Sequence, residues 1–247
     1  MAEEEPSPRI ATAGWSLPRD AWPHFPAEGS HLERYARVFD AVEIDSSFYR
    51  PHQSRTYARW AENTPPGFRF SVKLPRLITH DQALRDAAGP LDIFLEQAGA
   101  LGDRLGCLLV QLAPSLVFDA PVADGFLDVL RQRHEGAVAL EPRHASWFTA
   151  QADALLARQR VARVLADPVL HAGGESPGGW QGLVYLRLHG SPRIYYSGYS
   201  PATLDALARR LRQARDQGAE CWCVFDNTAA GLAIQDALSL QARFAAG

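Results

Sequence analysis

Cysteine is scarce in this chain: Cys107, Cys221 and Cys223 are the three among 247 residues. Each lies inside an apolar, strand-like run, and the spacing suits neither a metal site nor a redox pair, so all three read as buried free thiols. Long apolar runs are also missing. No stretch approaches the roughly 20 apolar residues of a spanning helix, and no membrane partner is expected. The first eight residues hold three glutamates and two prolines and no apolar stretch. They suit a solvated acidic tail and lack the pattern of a signal or transit peptide, so the expected location is the cytoplasm.

There is no excess of positive charge either, with Lys and Arg at 25, Asp and Glu at 28, and a net charge of −3. The surface as a whole offers no cationic field for polynucleotides or anionic lipid, which disfavours a nucleic-acid partner and requires any basic site to be local. Low-complexity linkers and fixed-period repeats are absent between positions 9 and 245, favouring a single domain over residues 9–247. No Gly-x-Gly-x-x-Gly or Walker-type loop follows a candidate strand, and no Gly-x-Ser-x-Gly elbow is present. No cofactor is implied.

What the chain does have is eight strand-like runs: Ile10–Ala13, Ala41–Ser46, Phe68–Leu74, Leu105–Ala113, Ala137–Glu141, Val161–Ala166, Leu183–Leu188 and Cys221–Phe225. Helical patterns separate nearly all of them. Ser30 and Glu33 form a capping box that opens a helix over 31–39, Pro65-Pro66-Gly67 ends one over 54–63, and Ser200-Pro201 opens one that runs to about residue 217. Residues 168–182 contain five glycines and two prolines, so a loop is expected there in place of a helix between the sixth and seventh strands. Strands joined by helices, with no hairpin signal, imply a parallel sheet. At this length a (β/α)8 TIM barrel is the natural α/β solution, and an open doubly wound sheet is the alternative.

Side chains alternate between the two faces of a strand. With Val42 and Ile44 facing helices, Glu43 and Asp45 turn inward. Ser71 and Lys73 follow the same rule, as do Tyr185, Arg187 and His189. The same count sends Gln111, Glu141, Asp167 and Asn227 inward. These polar residues sit at the carboxyl ends of their strands, where barrel enzymes carry their active sites. The run Ala139–Trp147 is the densest instance. Pro142 lacks an N–H, so the strand should stop at Glu141, and Arg143, His144 and Trp147 follow at once. Buried charges are costly unless paired, so the carboxylates Glu43, Asp45, Glu141 and Asp167 should meet the cations Lys73, Arg143 and Arg187 in a network.

Gly14-Trp15-Ser16, the stretch Val42 to Tyr49, Phe70 to Arg76 with Thr79-His80, Gln111 to Pro114, Glu141 to His144 with Ser146-Trp147, Tyr185 to Gly190, and Phe225-Asp226-Asn227 together resemble the YecE-like family, catalogued as domain of unknown function 72. The motifs run in order across almost the whole chain. The resemblance implies a TIM barrel and brings no established reaction with it. One departure stands out: the family pattern places Arg directly after Glu, where this chain inserts Pro142, which leaves the position of Arg143 open.

The chemistry that best fits these residues is hydrolysis of a small anionic, phosphate-bearing substrate such as a nucleotide, a sugar phosphate or a nucleic-acid end. Glu43, Glu141, Asp167 and His189 are the candidate acids and bases. Lys73, Arg76, Arg143 and Arg187 would neutralise the anion, Trp15, Tyr49 and Trp147 would pack on a flat ring, and Gln111, His144 and Asn227 would add polar contacts. A divalent metal on Glu43, Glu141, Asp167 and His189 is chemically reasonable but would be repelled by Lys73 and Arg187. The alternatives are a barrel that binds an anion without catalysis, and glycoside chemistry using two of the carboxylates.

Overall fold

The computed structural model describes residues 7–245. Of the acidic tail expected over residues 1–8, positions 1–6 lie outside the described residues.

The elements run Arg9–Thr12 (β1), His31–Tyr35 (α1), Ala41–Ile44 (β2), Ser54–Glu62 (α2), Arg69–Lys73 (β3), Ala88–Ala98 (α3), Leu105–Gln111 (β4), Ala120–Arg131 (α4) and Ala137–Glu141 (β5). They continue with Ala150–Arg158 (α5), Ala162–Arg163 (β6), Leu165–Asp167 (β7), Gly178–Gly179 (β8), Leu183–Leu188 (β9), Pro201–Asp216 (α6), Glu220–Phe225 (β10) and Leu232–Ala245 (α7). The fold is mixed α/β with parallel sheets. One sheet has the order β1-β10-β9-β7 and the other β2-β3-β4-β5-β6-β8, and the short β6–β8 pairing is antiparallel. Among the described residues no helix is long and apolar enough to cross a membrane.

The sixth strand-like run is divided at Val164. Its first half pairs with β5 and its second with β9, so one stretch of chain belongs to both sheets, and Val164 N–H still donates to Leu140 O at 2.9 Å. The sheets also meet where Ala13 bridges Glu43 in parallel and Gly14 N–H donates to Glu43 O at 2.8 Å. As expected, β5 stops at Glu141, because Pro142 has no N–H to continue the ladder.

Two apolar clusters mark the two faces of the strands. Val42, Ile44, Val72, Leu108, Leu140, Leu186 and Phe225 pack with helix residues such as Phe94, Leu127, Leu156 and Leu211. Ala11, Ala41, Cys107, Leu109, Ala139, Val164, Tyr185, Trp222 and Val224 form the other cluster, on the face away from the helices. Tyr185 and Trp222 stack there with centroids 6.0 Å apart. Gly106 makes room for them, since a Cβ at that position would stand 2.8 Å from the Trp222 ring. All three cysteines are free and buried.

Helix α1 has the expected capping box, with Ser30 N–H donating to Glu33 Oε2 at 2.7 Å, but it ends at Tyr35 instead of Phe39. The Tyr35 hydroxyl accepts from Thr12 N–H at 3.0 Å and donates to Ala41 O at 3.1 Å, and residues 36–40 form a turn, with Val38 and Phe39 N–H still bonded to Tyr35 O, before β2 starts. The 168–182 stretch forms no helix. It contributes only β8, where Gly179 has φ +67° and a Cβ would lie 2.5 Å from Val161 O.

Candidate functional site

Arg187, on β9, is the hub of the charged residues on the strand face away from the helices. Its Nε lies 3.1 and 3.2 Å from the two Glu43 oxygens, and Nη2 lies 2.7 Å from Glu43 Oε1, 3.2 Å from Asp45 and 3.1 Å from Asp226 Oδ2. Nη1 reaches Glu141 Oε2 at 3.3 Å. All three nitrogens are occupied by carboxylates, and the side chain is 1% exposed. On the far side of Glu43, the Tyr185 hydroxyl bonds Oε2 at 2.7 Å and lies 2.9 Å from Ser71 Oγ.

His189, two residues along β9, has a carboxylate at each ring nitrogen. Nε2 lies 3.0 Å from Glu141 Oε1, and Nδ1 lies 3.0 Å from Asp226 Oδ2. Arg143 Nη2 donates to the same Glu141 oxygen at 2.7 Å and stands 3.0 Å from His189 Nε2. Gln111 Nε2 donates to Glu141 Oε2 at 2.9 Å. Farther out, Lys73 Nζ pairs with Asp45 at 2.8 Å and lies over the Phe48 ring at 4.3 Å. His80 meets the same ring edge-on at 4.9 Å.

Burial and charge pull the titrating groups in different directions. Burial raises Glu43 above its ordinary range, because Arg187 offsets only part of the cost while Asp45 and Asp226 add to it. Glu141 is buried as deeply, but Arg143, Arg187 and His189 surround it and hold it well below the ordinary range. Asp226 is lowered against its burial by Arg187 and His189. For His189, burial opposes the charge, yet Glu141 and the hydrogen bonds to Asp226 and Glu141 outweigh it and raise the pKa. The charge count agrees with this. Glu43, Asp45, Glu141 and Asp226 are opposed by Lys73, Arg143 and Arg187, so the network is neutral when His189 carries a proton. At His80 the effect is opposite: burial, Lys73, Arg76 and Arg143 keep that imidazole's pKa low.

Several expected residues stand elsewhere. Asp167 shares a face with Leu165, which packs among the helix-side residues, and its carboxylate accepts from Tyr199 Oη–H at 2.9 Å, away from Arg187. Asn227 also turns toward the helices, donating to Ser197 O at 3.0 Å and Asp236 Oδ2 at 2.7 Å. Asp226 takes the inward position, as the alternation from Cys223 and Phe225 would have indicated. Trp147 is 1% exposed and donates from Nε1 to Leu116 O at 2.9 Å, which makes it a packing residue. His144 accepts from Ser146 N–H at 3.2 Å and caps the turn beneath that Trp. Trp15 packs edge-on against Trp60 at 5.0 Å, Tyr49 is 75% exposed, and Arg76 pairs with exposed Asp81 at 3.1 Å. Arg143 does reach the network despite Pro142. Arg187 reaches it too, but as an enclosed hub with no nitrogen left for a ligand. Among the described residues no three His, Cys, Asp or Glu side chains are gathered as a metal centre requires. The cleft of about 470 Å³ beside Leu84, Phe118 and Trp147 is lined by none of the network residues.

Residues 9–247 match the model of a family described as a protein of unknown function, DUF72. The chain belongs to the DUF72 family. Among curated DUF72-like relatives, the UPF0759 protein YecE of Escherichia coli is 34% identical over 118 residues, covering 47% of this chain and 43% of that protein. The chain thus matches less than half the length of YecE. The UPF0759 protein YunF of Bacillus subtilis is 23% identical over 90% of this chain and 89% of its own. A DUF72 crystal structure from Enterococcus faecalis aligns with TM-score 0.79 at 20% identity, over 95% of this chain and 94% of that one. Another from Thermotoga maritima aligns with TM-score 0.78 at 24% identity, over 96% and 98%. At those identities the likeness establishes the DUF72 fold and no reaction.

Proposed function

We propose that residues 9–247 form one closed (β/α)8 barrel, working in the cytoplasm, whose carboxyl rim is a general acid–base site for a small anionic, phosphate-bearing molecule. Closure is supported by the two seams between the sheets, at Val164 and at the Ala13–Glu43 bridge. The observation that carries the chemistry is the doubly clamped His189, with a carboxylate 3.0 Å from each ring nitrogen. Two acceptors favour the imidazolium, which makes His189 a proton donor at neutral pH. Glu141, held well below the ordinary carboxylate range by Arg143, Arg187 and His189, keeps that proton in place.

Lys73 and Arg143 are the cations suited to the ligand. Each is held by one carboxylate and keeps some open surface, 6% for Lys73 and 16% for Arg143. The Arg143 Nε–H is buried and has no hydrogen-bond partner among the described residues. Arg143 Nη2 and His189 Nε2 lie 3.0 Å apart at Glu141 Oε1, so a phosphate oxygen that takes the place of this carboxylate oxygen would meet two donors. Hydrolysis of a phosphoester follows if His189 protonates the departing oxygen as its P–O bond breaks and water bonds to phosphorus, the proton given up by that water then returning to the imidazole. Glycoside chemistry is the weaker reading, since Glu43 is fully enclosed by Arg187 and Tyr185.

The test is a screen of wild-type protein and His189→Gln over phosphoesters, nucleic-acid ends and glycosides, with and without Mg²⁺ or Mn²⁺. Loss of a general acid should lower turnover by roughly 10²–10⁴. A wild type that binds phosphorylated metabolites and turns over none of them would be a binding barrel instead.

A further inference from the structure

Tyr195, on the connection between β9 and α6, has a backbone φ of +69°, a region that strains an aromatic residue. Two hydrogen bonds impose it. Tyr195 N–H donates to His189 O, and Tyr195 O accepts from Ala229 N–H at 3.1 Å, tying the residue to the ends of both β9 and β10. The outcome is a ring that stands edge-on to the His189 imidazole, centroids 5.9 Å apart and planes at 87°. Packing does little to reward this placement, because the residue remains 43% exposed. The hydroxyl lies in the field of Asp226, Arg143, Arg187 and Glu141. A strained, half-exposed aromatic pinned over a buried imidazole points to function more than to folding.

We propose that Tyr195 is a positioning residue for His189: its ring covers the open side of the imidazole against bulk water, and the ligand reaches His189 by passing this ring. The inference rests on His189 being the proton-carrying group of the site. Residues that act on the covered imidazole from the other elements are Glu141 and Arg143 at the end of β5, Arg187 on β9 and Asp226 after β10. With those groups on its other sides, Tyr195 is a neighbour whose ring a single substitution can remove without removing a charge.

Deuterium exchange at His189 Cε1, followed by mass spectrometry across a pH series on the full chain, reports both water access and titration of the ring. Tyr195→Phe keeps the cover and should exchange at the wild-type rate. Tyr195→Asn removes the ring while accepting the same φ, and should exchange several-fold faster at His189, with a Tm equal to or above wild type. Tyr195→Gly tolerates that φ as well and should behave alike. An unchanged His189 rate in both ring-less variants overturns the proposal. So does a Tm that falls in both and is restored in Tyr195→Phe, the mark of ordinary packing. The reading of His189 fails separately, if its exchange in the wild type titrates no higher than the roughly 6.5 of an unperturbed imidazole.

Discussion

Arg187 and Glu43 meet through two guanidinium nitrogens and both carboxylate oxygens, at 2.7 to 3.2 Å, with 1% and 0% of their side chains exposed. Removing either one alone breaks a buried ion pair, although Arg187 would keep Asp45, Glu141 and Asp226 beside it. Glu43→Gln and Arg187→Ala should each cost about 3–5 kcal/mol, the range for breaking a buried pair. Replacing both with apolar side chains of similar volume should cost less than either single change. Denaturant melts of the two single variants and the double variant check this, and single losses below about 1 kcal/mol, the ceiling for a surface pair, would show that the pair is open to solvent.

Stability should depend on pH through His189. Its folded pKa is raised, so its contribution is complete below the unfolded value of about 6.5 and fades as pH climbs through the folded value. Glu141 and Asp226 are lowered, so their contributions hold above the ordinary carboxylate range and are lost as pH falls through their folded values. Glu43, which is raised, loses its share as pH rises on the acid side. The decline that sets in as pH climbs past about 6.5 therefore belongs to His189, while above the ordinary thiol range the buried cysteines and tyrosines, whose values burial also raises, add a second decline of their own. Thermal melts of His189→Gln should lack the first decline, and its persistence in that variant assigns it to another group.

Asp226 and Asp167 separate the observed site from the one expected by strand counting alone. Asp226→Asn removes the charge beside His189 Nδ1 and should lower the His189 pKa, with activity falling alongside. Asp167→Asn alters a hydrogen bond to Tyr199 on the helix side and should leave His189 titrating as in the wild type. Histidine NMR titration of both variants decides between them; a His189 shift in the Asp167 variant and none in the Asp226 variant would reverse the assignment.

Gly179 should not tolerate a side chain. Its φ is +67°, and a Cβ there would come within 2.5 Å of Val161 O. Gly179→Ala should therefore lose more than the roughly 1–2 kcal/mol of a left-handed Ala alone. A melt indistinguishable from wild type would show that the β6–β8 contact is dispensable.

Local signals carried much of this fold. The period-two runs in β2, β5 and β9, the capping box at Ser30, the stop at Pro142 and the glycines of 168–182 each act within a few residues, so element order, parallel pairing and the inward turn of Glu43, Lys73 and Arg187 are readable from the chain. Tertiary structure decided the rest. Tyr35 cut α1 short through bonds to β1 and β2, and the strand run was divided at Val164 because its halves pair with different neighbours. Arg187 became a closed hub because Glu43 and Asp45, more than 140 positions earlier, occupy its nitrogens. Tyr195 came over His189 only through backbone bonds to the ends of β9 and β10. Such contacts follow from how distant strands are brought side by side, and no local period or spacing encodes which partner will arrive.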